Sequence, residues 1–432
     1  MKVVEYPLVN EKLYLHQLKN GMLVKILPRP AYHKVYSNLR VEYGSLDNNF
    51  WLSDKKPKKF PAGIAHFLEH KMFDQPTGDA FEQFSHLGAD ANAFTTYTNT
   101  NYLFSSTSQI KENLLALLHF VQQPYFQPTA VENEKKIIGQ EIKMYQDDVN
   151  WQLYSGVLAG MYPGHPLSDD IAGSLASIQK ITATNLLNCY QAFYRPEKMS
   201  LLLTGAIDPV EIVNLLETDQ NSINRLPGPV GISQDFSAAE GIPAKQFNQT
   251  SMPTQRTKAA LGLKGLDQVL VNERSGLKYS LALELAFFIL FGEISDNYQQ
   301  LYEKEIIDDS FNFEIQVDRG FHFVVLSSEC DDPAAFFTEI SNILQHGSQN
   351  LEDAVKEFAI AKRDLLGSQI QSLDSLENII SEDQGRLFQQ ATVLDQIDLL
   401  EQLSLADVWQ TFQTFWQNCQ MSRFQILPKG DI

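Results

Sequence analysis

Residues 104–124 read FSSTSQIKENLLALLHFVQQP, and residues 326–347 read LSSECDDPAAFFTEISNILQHG. Each begins as a short strand and runs into a helix of similar length, with apolar residues recurring at helical spacing. The stretches lie about 222 residues apart, as an internal duplication would place them. Extending the register, with one residue of slack, sets AHFLEH (65–70) against AFFILF (286–291), so the polar positions of the first copy become apolar in the second. The expected fold class is therefore α+β: two related domains, each a mixed sheet with packed helices, one carrying a site and the other its buried counterpart.

Between the copies, residues 222–250 (SINRLPGPVGISQDFSAAEGIPAKQFNQT) are rich in Gly, Pro, Ser, Asn and Gln and poor in periodic apolar positions, as a linker is. This divides the chain into an N-terminal domain, 1–221, and a C-terminal domain, 251–432. In the first domain, after a polar start, the residues of 21–27 and 35–43 have strand character and are read as a β-pair; residues 102–106 and 199–203 are further strands. Helices are expected over 63–73, 110–122, 130–146 and 178–193.

Composition narrows the function classes. The chain has 432 residues, 44% hydrophobic and 20% charged, enough apolar content for a sizeable core. Against 34 Lys and Arg stand 53 Asp and Glu, a net charge of −19, which disfavours nucleic acid as a partner. The densest basic stretch, Lys55, Lys56, Lys58 and Lys59, reads as a solvated loop. Cys189, Cys330 and Cys419 are too few and too scattered for a disulfide framework and are expected as buried thiols. The N-terminal residues lack the apolar run of a signal peptide, and Leu281 to Phe291, interrupted by Glu284, is too short to cross a bilayer and reads as a core helix. The expectation is a cytoplasmic protein with no membrane partner.

The chemistry gathers in the helix of residues 63–73. His66, Glu69 and His70 stand at i, i+3 and i+4, which puts the two imidazoles about 40° apart on one face, one turn displaced. Both can reach one metal ion, and Glu69 beside them can take a proton from an activated water. This is His-x-x-Glu-His, an inverted zincin motif, although two histidines on a helix often only pack or hydrogen-bond. Apolar Ile64, Phe67 and Leu68 mark the helix as buried, and a buried ionisable trio is costly without a compensating ion. Catalytic zinc takes three protein ligands, so one more donor is required. Glu134 and Glu141, seven residues apart and on one face of the helix of 130–146, can each reach the ion on spacing alone; a solvated pair is the plainer alternative.

Several stretches together, PAGIAHFLEHKMF (61–73), GDAFEQFSHLGADANAFTTYTNTNYLFSS (78–106), EKKIIGQEI (134–142), HPLSDDIAG (165–173) and YRPEKMSLLLTGAIDP (194–209), resemble the pitrilysin and insulinase zinc peptidases, the inverzincins, which include the mitochondrial processing peptidase. The resemblance implies a mitochondrial-processing-peptidase-like fold, one Zn2+ per chain held by His66, His70 and Glu141, Glu69 as general base, and Glu134 as the residue that orients a ligand. It further implies that Asn92 and Ala93 hold an extended peptide substrate, although ANAF could equally be a turn. His86 and His165 lie in matching stretches but are not family ligands and are expected to be structural.

Many members place an Arg and a Tyr in the second domain to stabilise the tetrahedral intermediate. Here Asn297 stands where the Arg would be and Asp309 near the Tyr, with Tyr298 and Tyr302 close in sequence. Family members enclose a chamber with four related domains. Two domains here imply a homodimer, or a heterodimer with a related inactive subunit. The expected function is a zinc-dependent endopeptidase acting on unfolded peptides. A structural or partner subunit, or a zinc-containing peptide-binding module with little turnover, is the alternative.

Overall fold

The computed structural model describes residues 1–52, 58–76, 78–222, 232–234 and 241–430. It divides into two compact units, neither contiguous in sequence. The first comprises Met1–Ile142, Asp170–Asp235 and Ser372–Gly385, and the second Lys143–Asp169, Phe236–Gln371 and Arg386–Ile432. Two segments thus cross the division drawn at 221 and 251.

In the first unit a seven-stranded sheet runs, edge to edge, Lys2–Tyr6, Glu11–Gln17, Leu23–Pro28, Met199–Gly205, Val35–Val41, Thr100–Ser106 and Ala89–Thr95. Met199–Gly205 pairs parallel with Leu23–Pro28 and antiparallel with Val35–Val41. It therefore separates the two strands that local sequence suggests as a pair. Its residues, MSLLLTG, are all buried, and its apolar side chains are consecutive rather than alternating, as a strand covered on both faces requires. The segment ADANAF is strand rather than turn: Ala89–Thr95 forms the sheet edge, with Asn92 opposite Leu103 and Ala93 opposite Tyr102.

The second unit repeats this plan. Its five strands run Phe247–Met252, Cys419–Pro428, Thr257–Gly265, Phe321–Cys330 and Asn312–Asp318. The first pairing is parallel and the other three antiparallel, as for the last five strands of the first sheet. Strands Val35–Val41 and Thr257–Gly265 occupy the same place and start 222 positions apart. The two units are related α+β domains. In the helix Arg274–Phe291, the positions set against His66, Glu69 and His70 are Phe287, Leu290 and Phe291, each no more than 1% exposed.

Two details keep each sheet closed. The helix Leu376–Ser381 lies on Met199–Gly205 and Val35–Val41 in the first unit, where Asp383 meets Lys25 at 2.6 Å, both side chains at most 2% exposed. Arg40 Nη1 donates to the Asp383 carbonyl at 2.8 Å. In the second unit the helix Val149–Met161 packs on Cys419–Pro428 and Thr257–Gly265; a Cβ on Gly156 would stand 2.3 Å from the Phe424 ring.

Of the segment read as a linker, 223–231 and 235–240 lie outside the described residues, but Ile232–Gln234 pairs with Phe50–Leu52 and Phe247–Met252 joins the second sheet. Lys55 and Lys56 also lie outside the described residues; Lys58–Lys59 is a short exposed strand. All three cysteines are free, Cys189 and Cys330 buried and Cys419 partly so, and burial pushes each thiol up to about 12. Among the described residues no helix is long and apolar enough to cross a membrane.

Candidate metal centre

The motif helix, Ile64–Met72, begins at Gly63, whose φ is +86°. A Cβ there would come within 2.3 Å of the Ala172 carbonyl oxygen, and one on Gly173, φ +79°, within 2.5 Å of the Ala62 carbonyl oxygen. Two glycines interlock the helix start with the loop ending in HPLSDDIAG, and any side chain would push them apart. Every residue of the helix but His70 is buried. Polar side chains in such a helix must therefore find partners within the protein.

The two histidines find theirs on the helix Pro128–Asp147. The His66 and His70 rings stand with centroids 4.6 Å apart. His66 Nε2 is 3.4 Å from Glu141 Oε1, and His70 Nε2 is 3.6 Å from Glu141 Oε2. One donor atom from each of His66, His70 and Glu141 lies within 4.8 Å of the others. Glu134, two turns earlier, instead reaches the far side of His70, its Oε1 3.1 Å from Nδ1. Spacing left the two glutamates equivalent; the structure turns Glu141 toward both Nε2 atoms and Glu134 toward the back of one ring.

Two further residues escape a motif reading. Lys71, 1% exposed, contacts Glu134 Oε2 at 3.3 Å and also pairs with Asp74. Thr95, at the end of the sheet edge, donates its hydroxyl to Glu69 Oε2 at 2.6 Å. No local signal marks them: Lys71 looks like an ordinary helix-end lysine, and Thr95 is one of four threonines in residues 95–100, TTYTNT.

The electrostatics follow from this crowding. Burial pushes the Glu69 carboxyl up; His66, the Thr95 hydroxyl and His70 oppose the rise, Glu141 adds to it, and the group stays above the usual carboxylate range. Burial alone would lower His70, but the Glu134 hydrogen bond and the charges of Glu69, Glu134 and Glu141 hold it above its ordinary value. Glu134 shows the reverse balance: burial would raise it, and His70 and Lys71 bring it below the usual range.

These residues fit a zinc ion on two grounds. Two ligands each about 2.1 Å from a tetrahedral centre stand about 3.4 Å apart, close to both imidazole-to-Glu141 separations. Three carboxylates, Glu69, Glu134 and Glu141, gather around the two imidazoles, a concentration of negative charge that a divalent cation offsets.

The remaining expected residues fall elsewhere. Asn92 is exposed on the sheet edge, its Oδ1 accepting from Ala93 N at 2.8 Å, and Ala93 is half-buried. His86 ends the helix Ala80–His86, exposed. His165, in the second unit, is buried and accepts from Leu167 N through Nδ1; burial, aided by Lys264, brings it down to about 4. Asn297 donates to the Leu290 carbonyl at 3.0 Å, closing the end of the helix Arg274–Phe291. Tyr298 and Tyr302 stack at 6.1 Å, and Tyr302 hydrogen-bonds Asp309, which raises its phenol.

A duplicated α+β scaffold with an inverted zinc motif on one copy is the class that fold and constellation define. The model of the insulinase family (peptidase family M16) matches residues 30–174, and that of the peptidase M16 inactive domain matches residues 180–358. The chain belongs to the insulinase, or M16, peptidase family. It is 36% identical to the uncharacterized zinc protease YmfH of Bacillus subtilis (strain 168), over 100% of both chains. A crystal structure of an M16-like peptidase from Alicyclobacillus acidocaldarius is similar with a TM-score of 0.87 and 29% identity, over 97% of this chain and 99% of that one. The periplasmic protease PqqL from Escherichia coli shares the fold at a TM-score of 0.70 and 20% identity, over 99% of this chain but 48% of that one.

Proposed function

We propose that this chain is a zinc-dependent endopeptidase acting on unfolded peptides or small polypeptides. The observation that carries the reading is the meeting of His66, His70 and Glu141 from two helices, with buried Glu69 beside them. His66, His70 and Glu141 would hold one Zn2+, which supplies Lewis-acid activation of the scissile carbonyl and of the attacking water. Glu69 takes the proton of that water as its oxygen bonds to the carbonyl carbon, then delivers it to the amide nitrogen as the carbon–nitrogen bond breaks. A carboxyl held above the usual carboxylate range suits a group that must both accept and return a proton. Glu134 accepts from His70 Nδ1, which fixes the ring and turns Nε2 toward Glu141.

An extended peptide would lie along the open edge of Ala89–Thr95, with the backbone around Asn92 and Ala93 supplying ladder hydrogen bonds and the Asn92 amide a further contact. Four domains would close a chamber that admits unfolded chains, so this two-domain chain would pair with itself or with a related inactive subunit. That PqqL has about twice the matched length in one chain supports this assembly. Zinc content by mass analysis, and cleavage of a quenched unstructured peptide with and without chelator, alone and with a sibling subunit, test the reading. Glu69→Gln should keep the metal and lose turnover by orders of magnitude. Near-normal cleavage by that variant would remove the general-base role.

One observation favours a second reading. Asn297 replaces the expected Arg and is engaged with the Leu290 carbonyl, so this chain offers no cation at that position to stabilise an oxyanion. A partner subunit, or a zinc-containing peptide binder with little turnover, would bind zinc in the same assay yet cleave nothing under any pairing.

A further inference from the structure

We propose that Thr95 is a positioning residue for Glu69, coupling the edge strand to the proton-transferring carboxylate; the inference rests on the peptidase reading of the site. Thr95 closes the strand Ala89–Thr95, opposite Thr100 across the ladder. Each hydroxyl has one proton to give. Thr100, fully buried, donates to the Tyr43 carbonyl at 2.8 Å, and its oxygen lies 3.4 Å from that of Thr95. Thr95 donates over the shorter distance, 2.6 Å, to Glu69 Oε2. The carboxylate is thus gripped by one oxygen, and Oε1 is the oxygen that exchanges the proton.

The grip comes from the sheet rather than from the motif helix. Thr95 is three residues from Asn92 on one short strand, and the alternation along it puts Ala89, Ala91, Ala93 and Thr95 on the half-buried side and Asp90, Asn92 and Phe94 on the exposed side. A peptide paired to this edge is therefore held by the same strand that orients the base. A base placed this way needs no reorganisation when substrate arrives, which is where positioned groups gain their advantage. A hydrogen bond to a charged acceptor is also the kind whose loss is felt most.

The test uses the full-length, zinc-loaded protein and two substitutions. Thr95→Val keeps the branched shape that suits a strand and removes the donor; Thr95→Ser keeps the donor. With a quenched unstructured peptide, Thr95→Val should lower kcat about ten-fold or more. KM, zinc content and thermal unfolding should stay near wild type. Thr95→Ser should recover most of kcat. Crystal structures of both variants supply a readout apart from activity: the Glu69 carboxylate should leave its place in Thr95→Val and keep it in Thr95→Ser. Unchanged kcat in Thr95→Val, an equal loss in Thr95→Ser, or loss of zinc in step with activity overturns the proposal. If wild-type protein cleaves no peptide either alone or with a related subunit, the peptidase reading fails, and an unmoved Glu69 in the Thr95→Val structure overturns the positioning role by itself.

Discussion

Replacing Glu134 and Glu141 separately by Gln measures how differently two residues on one helix face act. Glu141 faces both histidines through Nε2, at 3.4 and 3.6 Å, so Glu141→Gln removes the anionic donor from the three that converge and lowers the local negative charge. Glu134 touches His70 through Nδ1 at 3.1 Å and Lys71 at 3.3 Å. In Glu134→Gln the amide oxygen still accepts from Nδ1, and Lys71 still pairs with Asp74, so the helix stays folded and only the carboxylate's charge behind the ring is lost. Substitutions behind a metal ligand cost about 10- to 100-fold in metal affinity, roughly 1.4 to 2.7 kcal/mol. The retained hydrogen bond places Glu134→Gln toward the lower end of that range, and Glu141→Gln should lose more than about 100-fold. Competition for zinc with a chromophoric chelator gives both affinities, and circular dichroism checks that each variant is folded. Weaker zinc binding in Glu134→Gln than in Glu141→Gln would exchange their roles and refute the geometric argument.

Asp383→Ala strips the 0%-exposed Lys25 of its carboxylate and should destabilise the protein by about 3 to 5 kcal/mol in urea unfolding, with Lys25→Met and Asp383→Leu together recovering most of the loss; a change under about 1 kcal/mol contradicts the role given to the pair. His165 has a folded pKa of about 4 against an ordinary 6.5, so the unfolded chain takes up its proton first: the stability it contributes is complete above pH 6.5 and falls by up to roughly 3 kcal/mol as pH drops to 4. Thermal unfolding across that window should be flatter for His165→Asn, and parallel curves for the two proteins would show that another group titrates.

Much of this was legible in local sequence because local sequence dictates it. The helices of residues 64–72, 110–122 and 128–147 carry their own periodicity, and His66, Glu69 and His70 are joined by the helix itself. What escaped depends on contacts distant in the chain. Strand Met199–Gly205 enters between two strands more than 150 residues before it, and nothing in GMLVKIL or VYSNLRVEY announces the gap between them. The opening hairpin, Lys2–Tyr6 with Glu11–Gln17, was hidden because its outer strand, KVVEY, is mostly exposed and shows no regular alternation of apolar and polar residues. Thr95 and Lys71 gain their roles only when the sheet edge and the Glu134 helix arrive.

The duplication explains why the site can exist in one copy alone. Both units need the helix beside the sheet; the first unit's is buried at every residue but His70 and the second's over most of its C-terminal half, so the inward positions face the same choice. Phe287, Leu290 and Phe291 resolve it by burial, which stabilises a helix at about 1.5 to 3 kcal/mol per large side chain. His66, Glu69 and His70 forgo that gain and require Glu134, Glu141, Lys71 and Thr95 to satisfy them, two carboxylates on a second helix, one ammonium and one hydroxyl from the strand edge. Every one of these partners lies in the first unit and within its first 142 residues. An apolar copy could lose any of the four without penalty to its core, whereas the polar copy must keep them together, and that concentration of otherwise costly groups in one unit is what a site under functional demand leaves in a repeated fold.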